Sequence, residues 1–359
     1  MVPINLVRSS NAALRSLPST SHSTRKTALF VGGTSGIGLS TLRALAKHTD
    51  GKALTAYIVG RSASRAEPVL SELQRISPQA RFTFIEADVS LIKNVDDVCR
   101  KILESEKGGK GKLDFLFMTP GGISIPFRRR NETSEGLDRL FALRYYARMR
   151  FIQNLLPLLE FEHKPSISLQ PTSIPSRVVS IYGGGFEYGI NTSDLDLKHT
   201  FSLLNSYKHS ITMTSLSMAH LAKRHPKVSF IHAFPGLVGT NIYTNSFPGP
   251  LAAAYNYLFW PLMWPFSVDL AECGERHLFH LCSRLYPASD GNGKEDPDIA
   301  TGIDGMKGSG AYLLNWKGDV RATSAVLGGY LGEGIDRAVW RHTEEILKEA
   351  AGVPDDLIA

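Results

Sequence analysis

Short apolar runs alternate with longer amphipathic stretches along most of this chain. Each apolar run has the length of a buried strand. In the stretches between the runs, apolar residues recur every three or four positions, as they do on one face of a helix. The predicted strands are 27–31, 53–59, 81–86, 113–118, 177–181, 228–233 and 311–315. The predicted helices are 39–47, 63–76, 91–106, 134–160, 201–224 and 336–350. This alternation predicts an α/β fold with a doubly wound parallel sheet and helices on both faces.

Two stretches interrupt the alternation. Residues 246–266 are apolar and aromatic but contain four prolines, so they do not predict a membrane span. We expect an apolar lid over a substrate pocket or an interfacial patch in peripheral contact with a membrane, and a buried packing segment is the alternative. Residues 287–310 are rich in Gly, Asp and Lys and predict a mobile loop. Both segments are predicted to be parts of a single domain, residues 27–359.

The first 26 residues are predicted to form an N-terminal arm. They carry four basic residues and many serines but no acid, a composition that overlaps with mitochondrial transit peptides. The favoured interpretation is an arm with a short helix through residues 11–17, packed beside the first strand of a cytoplasmic protein.

Composition excludes several classes of function. The chain has 359 residues, 43% of them hydrophobic, and a formal net charge of +6 from interspersed charges. The densest basic run, Arg128-Arg129-Arg130, leads at once into Asn131-Glu132 and is interpreted as a solvated loop edge, so no nucleic-acid partner is predicted. Cys99, Cys273 and Cys282 lack metal-ligand spacing, which predicts a metal-free protein from a reducing compartment.

A glycine-rich turn follows the strand 27–31 directly and opens the first predicted helix. A strand, a tight turn and a helix in this order place backbone N–H groups and a helix amino end against a pyrophosphate. Glycine is needed where φ is positive or where the ligand comes too close for a β-carbon. The turn therefore predicts a Rossmann-like dinucleotide-binding domain. The residues expected at the cofactor are Gly32, Ser35, Gly36, Ile37 and Gly38.

Three motifs between Thr27 and Asn315 give the chain a resemblance to the short-chain dehydrogenase/reductase family. They are the glycine turn, the triplet Ala87-Asp88-Val89 and the stretch 234–240, which reads FPGLVGT. More loosely, the chain is similar to divergent members from fungal secondary-metabolite pathways. The resemblance implies a homo-oligomer built through the helices 134–160 and 201–224.

The resemblance also implies further cofactor contacts. Asp88 would contact the adenine, Gly121 would follow the fourth strand beside the cofactor, and Val238 and Thr240 would line the nicotinamide side. The second strand ends at Val59-Gly60 and is followed by Arg61, where an NAD enzyme would place an acid. Arginine suits a 2′-phosphate through charge-assisted hydrogen bonds, so Arg61 predicts NADP (NADPH) as the cofactor.

The catalytic positions that the resemblance implies are largely replaced. Tyr207 stands where the family has its catalytic tyrosine, but Ile211 stands where its lysine would be. Gly183 falls at the place of the catalytic serine, and Arg144 aligns with the supporting asparagine. A phenol titrates near pH 10, and without the lysine nothing at position 211 favours its ionisation. A reductase is less affected than a dehydrogenase, because it needs a neutral tyrosine that donates a proton.

Three functions remain open on this basis. The first is an NADPH-dependent reductase of a carbonyl group in a bulky apolar secondary metabolite, with Tyr207 as proton donor and a non-standard proton relay. Substitute polar contacts would come from Arg144, Ser180 or Tyr182, and Tyr182 is an alternative acid. The second is a redox-neutral cyclase, isomerase or lyase in which Arg144 polarises an oxyanion. The third is a non-catalytic binding subunit, because a fold does not fix a function.

Overall fold

Seven parallel strands form one sheet in the order β3-β2-β1-β4-β5-β6-β7. The computed structural model describes residues 2–16, 25–49, 54–107, 111–122, 129–161, 174–239, 249, 267–290 and 296–352. The strands are β1 Lys26–Val31, β2 Leu54–Gly60, β3 Arg81–Glu86, β4 Phe115–Met118, β5 Ser176–Ile181, β6 Val228–Ala233 and β7 Ala311–Leu314. This sheet confirms the predicted α/β fold with a doubly wound parallel sheet.

Helices cover the sheet on both faces. They are α1 Ile4–Ala12, α2 Gly36–His48, α3 Ala63–Ile76, α4 Ile92–Lys107, α5 Arg139–Phe141, α6 Ala147–Leu159, α7 Leu203–Arg224, α8 Leu270–Cys282, α9 Ala325–Gly332 and α10 Ile335–Ala351. Alternate residues of β1 belong to two separate cores. Leu29 and Val31 pack with α4, α6, α7 and α10, whereas Ala28 and Phe30 pack with α1, α2 and α8.

The strand order places a functional edge at the carboxyl ends of the strands. β1 pairs with β2 on one side and with β4 on the other. On one side of β1 the sheet continues through β2 to β3, and on the other side it continues through β4, β5 and β6 to β7. Ligands of open α/β sheets bind outside the carboxyl ends where the strand order reverses. The glycine turn follows β1 at this edge.

The helix predicted over 134–160 begins later than its sequence pattern indicates. Gly136 has φ +76° and forms a turn, and the carboxylate of Asp138 then accepts hydrogen bonds from the N–H groups of Leu140 and Phe141. Asp138 is therefore the N-cap, and α5 begins at the next residue. A single π-helical turn, Ala142–Tyr146, joins α5 to α6.

The N-terminal arm forms a helix, but not where it was predicted. The predicted helix over 11–17 is replaced by α1, which ends at Ala12, and by a 3₁₀ turn over Ala13–Ser16. The arm also packs against α8 rather than beside the first strand alone. The buried Asn11 amide donates to the main-chain oxygen of Glu275 (2.8 Å) and to its carboxylate (2.8 Å). A buried amide needs such partners, and α8 supplies them.

The predicted lid and mobile loop are described only in part. Apart from Gly249, residues 246–266 lie outside the described residues, so the lid and its membrane contact stay predictions. Within 287–310, backbone hydrogen bonds join Ala300 to Leu285 and Ile303 to Ala311 (both 2.9 Å), and Ile303 is buried. The predicted mobility of this loop is untested. No helix in the described part of the chain is long and apolar enough to cross a membrane.

Candidate active site

The turn between β1 and α2 leaves no room for larger side chains. Gly32 has φ +83° and Gly36 has φ +53°, the left-handed region that favours glycine. A β-carbon at Gly38 would lie 2.3 Å from the main-chain oxygen of Gly32. The Gly32 N–H donates to the oxygen of Val59 in β2 (2.9 Å), which fixes the turn against the neighbouring strand. The turn is thus held close to the sheet edge.

The amino end of α2 has the features of an anion site. Ser35 is its N-cap residue, with an extended backbone and a side chain that makes no capping hydrogen bond. The first turn, which contains Ile37, carries no acidic residue. Unsatisfied N–H groups and the helix dipole make such an end favourable for a phosphate. These residues fit the pyrophosphate of a dinucleotide.

Asp88 lies just beyond β3 and is held by two neighbours. Its carboxylate accepts hydrogen bonds from the Ser90 N–H (3.0 Å) and hydroxyl (2.8 Å), and it pairs with Arg139 (2.9 Å). Partial burial acts to raise the pKa of Asp88, but these hydrogen bonds and the Arg139 charge lower it below its ordinary value. Asp88 is therefore a fixed acceptor at the predicted adenine position.

Arg61 and an acid that sequence reasoning missed stand at the end of β2. Arg61 is exposed and makes no side-chain hydrogen bond or ion pair with the described residues. Glu86 is the register partner of Gly60 in β3, and its carboxylate accepts from the Ala63 N–H (3.2 Å) at the start of α3. A cation and an anion thus border the place where a ribose 2′-substituent would lie.

Two further predicted cofactor positions lie along the same edge. Gly121 follows β4, and a β-carbon there would meet only the Thr119 oxygen, at 3.9 Å. Val238 follows β6 and forms a parallel bridge with Val268. Thr240 lies outside the described residues, so its predicted role stays a prediction.

The tyrosines beyond β5 and at the start of α7 form one aromatic group. The ring centroids of Tyr182 and Tyr207 are 5.8 Å apart, and those of Tyr188 and Tyr207 are 6.1 Å apart. The half-buried Tyr207 makes no hydroxyl hydrogen bond with the described residues. The Tyr182 hydroxyl is buried and has no hydrogen-bond partner among them. Both predicted tyrosines thus come together, with Tyr207 the more accessible.

Two arginines lie against these tyrosines. The guanidinium carbons of Arg144 and Arg148 are each 5.7 Å from the ring centroid of Tyr182. Arg144 donates to the main-chain oxygen of Gly122 (2.6 Å). Arg144 was predicted from the sequence and Arg148 was not, although a spacing of four residues places both on one helix face.

Arg148 joins the carboxyl ends of β4 and β5. Its fully buried guanidinium donates to the oxygens of Ile181 (3.1 Å) and Met118 (3.4 Å), to the Ser180 hydroxyl and to the oxygen of Pro120. No acidic side chain of the described chain pairs with it. Burial lowers the pKa of Arg148 to about 10, so the group is still charged near neutral pH.

The environment keeps both tyrosines in the neutral form. Burial raises the pKa of Tyr182 to about 12, although the Arg144 charge acts in the opposite direction. Burial also raises the pKa of Tyr207 above its ordinary value, and Tyr188 adds to this rise while Arg144 opposes it. A neutral phenol can give up its proton but is not a base, and the two arginines place positive charge beside Tyr182, which would favour a nearby oxyanion.

Ile211 fills the space beside Gly183. A β-carbon at Gly183 would lie 2.5 Å from Cδ1 and 2.6 Å from Cγ1 of Ile211, which is fully buried. A buried polar chain holds the other side of this turn. The Gly183 N–H donates to Nε2 of His232 (3.2 Å), His232 Nδ1 contacts the Ser215 hydroxyl (2.8 Å), and that hydroxyl donates to Glu187 (2.8 Å).

This polar chain also escaped sequence reasoning, since its members are distant in sequence. Burial lowers the pKa of His232 to about 3, so the imidazole is neutral, with Nδ1 as the donor that fits these partners. Burial raises the pKa of Glu187. Among the described residues, no group of three or more His, Cys, Asp or Glu could hold a metal ion.

The parallel sheet, the glycine turn and the free amino end of α2 define a dinucleotide-binding protein of the Rossmann type. The family model for short chain dehydrogenases matches residues 26–169. An oxidoreductase of Emericella nidulans is 62% identical over 98% of this chain and 99% of its own length. A short-chain dehydrogenase/reductase of Stachybotrys chartarum is 31% identical, over 90% of this chain and 92% of its own length. The chain belongs to the short-chain dehydrogenase/reductase family and is an oxidoreductase of that type.

Solved structures share this fold at low sequence identity. YwfH, an NADPH-dependent reductase involved in bacilysin biosynthesis, superimposes with a TM-score of 0.51 at 18% identity, over 72% of this chain and 92% of its own. L-sorbose reductase of Gluconobacter frateurii gives 0.50 at 18% identity, over 72% and 90%. Together with the family, the shared fold supports a nicotinamide cofactor.

Proposed function

We propose that this protein is an NADPH-dependent reductase of a carbonyl group in a bulky apolar compound, with Tyr207 as the proton donor. The observation that carries the proposal is the accessible hydroxyl of Tyr207, which is neutral, unbonded to the described residues and 5.8 Å, ring to ring, from a tyrosine flanked by two arginines. A donor that stays protonated suits reduction better than oxidation.

Each residue of the site would have a separate role in carbonyl reduction. A bound reduced nicotinamide would supply the hydride to the carbonyl carbon. Tyr207 would donate its proton to the carbonyl oxygen, and Arg144 would stabilise the negative charge on that oxygen as it develops. Arg148 would fix the ends of β4 and β5 relative to each other, because it donates hydrogen bonds to a main-chain oxygen of each strand. This arrangement needs no lysine at position 211.

Arg61 follows β2, is exposed and makes no pair with any described residue, which favours NADPH over NADH. Glu86 opposes this preference in part, because its carboxylate sits at the amino end of α3. The fungal relatives are named oxidoreductases, and YwfH, which shares the fold, is itself involved in bacilysin biosynthesis. We propose a secondary metabolite as the substrate on this basis.

A matched pair of tyrosine variants tests the proposal. NADPH binding is measured by calorimetry, and a panel of apolar ketones is then screened for NADPH consumption. A general acid contributes roughly 10²–10⁴-fold to rate, so Tyr207→Phe should lose that much while Tyr182→Phe loses far less. Loss of rate in Tyr182→Phe alone would move the donor role to Tyr182. Product formation without NADPH consumption would instead support the redox-neutral alternative, with Arg144 at the oxyanion.

A further inference from the structure

The C-terminal helix α10 covers α7, one of the two helices through which a second subunit was expected to bind. One side of α10 is apolar and buried against α7 and α4. The buried residues of this side include Val339, Trp340, Ile346, Leu347 and Ala350. The other side carries charged residues that are exposed, among them Arg341, Glu345 and Glu349. α10 is thus an amphipathic helix that already has its partner surface within the same chain.

A buried chain of hydroxyl groups fixes α10 in register. Thr343 donates to the main-chain oxygen of Val339 (2.7 Å), so its own oxygen is left to accept from Tyr145 (2.5 Å). The Ser217 hydroxyl then donates to Tyr145 (2.7 Å). These groups come from α10, from the π turn before α6 and from α7. Since buried hydroxyls must be paired, α10 cannot slide along α7 without breaking this chain.

A second group of contacts anchors the amino end of α10. The ring of Trp340 stacks on His220 of α7, with centroids 6.0 Å apart and planes 22° apart. Asp336 lies 3.4 Å from Nζ of Lys223 and 3.7 Å from Nδ1 of His220. Apolar packing, a hydroxyl chain and an ion pair therefore act along the length of one helix. Such a docked helix is a fixed part of the core.

The long helix α7 consequently has little surface to offer another molecule. Between Ser206 and Ala222, every residue except Tyr207 and Lys208 is buried. Both exceptions lie at the amino end, beside the proposed active site. A second copy of the chain could reach the middle of α7 only after α10 had left it.

We propose that α10 takes the place of a partner subunit on the outer face of α7, so that this face makes no intermolecular contact. The expected homo-oligomer through 134–160 and 201–224 stays a prediction, and the proposal opposes it for this one face. Helix α7 is supported from within the chain, and Tyr207 at its amino end keeps its position without a second copy. This inference does not depend on which reaction the site performs.

Mass and hydrogen exchange of the full chain test this inference. At rising micromolar concentrations, amides of α7 and α10 should keep the same exchange protection. A chain of 39.4 kDa that sediments as a monomer agrees with the proposal, as does an oligomer formed elsewhere that leaves these amides unchanged. An oligomer in which α7 or α10 amides gain protection with concentration would overturn it.

Two charge-balanced double variants add a second test. Trp340→Glu with Leu347→Lys places charges on the buried side of α10, whereas Arg341→Glu with Glu345→Lys changes only its exposed side. The buried pair should release α10 and cause self-association through the uncovered face, while the exposed pair should leave the mass unchanged. If the buried pair prevents folding altogether, the concentration series on the unaltered chain still decides the outcome. Self-association of the exposed pair alone would contradict the proposal.

Discussion

Ile211 occupies the volume that a side chain at Gly183 would need, with its Cδ1 atom 2.5 Å from the ideal β-carbon position. By family resemblance, these two positions would hold a lysine and a serine. Their replacements are therefore not independent losses. Each makes the other compatible with a packed core, and a serine at position 183 would require the Ile211 side chain to shift.

A double-mutant cycle measures this coupling. Gly183→Ala should lower the free energy of unfolding by about 1–3 kcal/mol, because the added methyl overpacks the site. Ile211→Ala should lower it by about 2–5 kcal/mol through the cavity that it leaves. In the double variant the methyl enters that cavity, so the loss should be smaller than the sum. Urea unfolding monitored by tryptophan fluorescence gives the three values.

Gly184 is the matched control for this cycle. A β-carbon at Gly184 would lie 2.1 Å from the main-chain oxygen of His232, and removal of the Ile211 side chain cannot relieve that contact. The loss of stability in Gly184→Ala should therefore be the same with and without Ile211→Ala. Simple additivity at Gly183 as well would show that the two residues are uncoupled.

Buried Tyr182 should make the fold sensitive to alkali. Its pKa rises from 10.0 in the unfolded chain to about 12 in the folded one, so the neutral form is favoured by folding. The stabilisation is complete below pH 10 and is lost as pH rises toward 12, by up to about 3 kcal/mol. Tyr182→Phe should show a smaller decrease in unfolding free energy across this range than the unaltered protein. An identical decrease in both would mean that Tyr182 titrates normally.

Opposite charges at Arg61 and Glu86 should set the choice of cofactor. Arg61→Ala removes a charge-assisted hydrogen bond to a 2′-phosphate and should weaken NADPH binding about tenfold, with little effect on NADH. Glu86→Gln removes a repulsive charge and should strengthen NADPH binding. Calorimetric titration with each cofactor provides both comparisons. Equal weakening of NADPH and NADH in Arg61→Ala would argue against recognition of the 2′-phosphate.

Arg148 should be far more important for stability than its neighbour Arg150. Arg148→Met leaves several buried carbonyl oxygens without donors and should lower the free energy of unfolding by roughly 3 kcal/mol or more. Arg150 makes a partly exposed pair with Asp96, where water can replace the lost contacts, so Arg150→Met should lower it by less, about 1 kcal/mol. Arg148→Lys should recover only part of the loss, because one ammonium cannot reach all of these acceptors. Equal effects at the two arginines would contradict this assignment.

The sheet could be predicted from the sequence because buried strands are read as short apolar runs. β6 has the predicted bounds, and β5 begins one residue early. Helix α8 was missed because its interior contains charged and imidazole side chains. Glu275, Arg276, His277 and His280 are all buried there, against the usual pattern. Only tertiary partners, such as Asn11 for Glu275, make that composition tolerable.

The site was predicted less completely than the sheet. Tyr207 and Arg144 were predicted from the family resemblance and Tyr182 from its position after a strand, and the structure brings them together. Arg148 has the residue type of a surface position, and only the folded chain supplies the carbonyl oxygens that pair with it. The contact between Gly183 and Ile211 joins two elements of the fold, so no local sequence pattern predicts it.

The fit of Ile211 against Gly183 also restricts the order in which such a site can change. With serine at 183, isoleucine at 211 would collide with its β-carbon, whereas glycine at 183 leaves room for either isoleucine or lysine at 211. Any route of single substitutions between this site and the usual one of the family is therefore expected to pass through glycine with lysine. A return to the usual site by random change faces the same restriction, because the residue at 211 must change first.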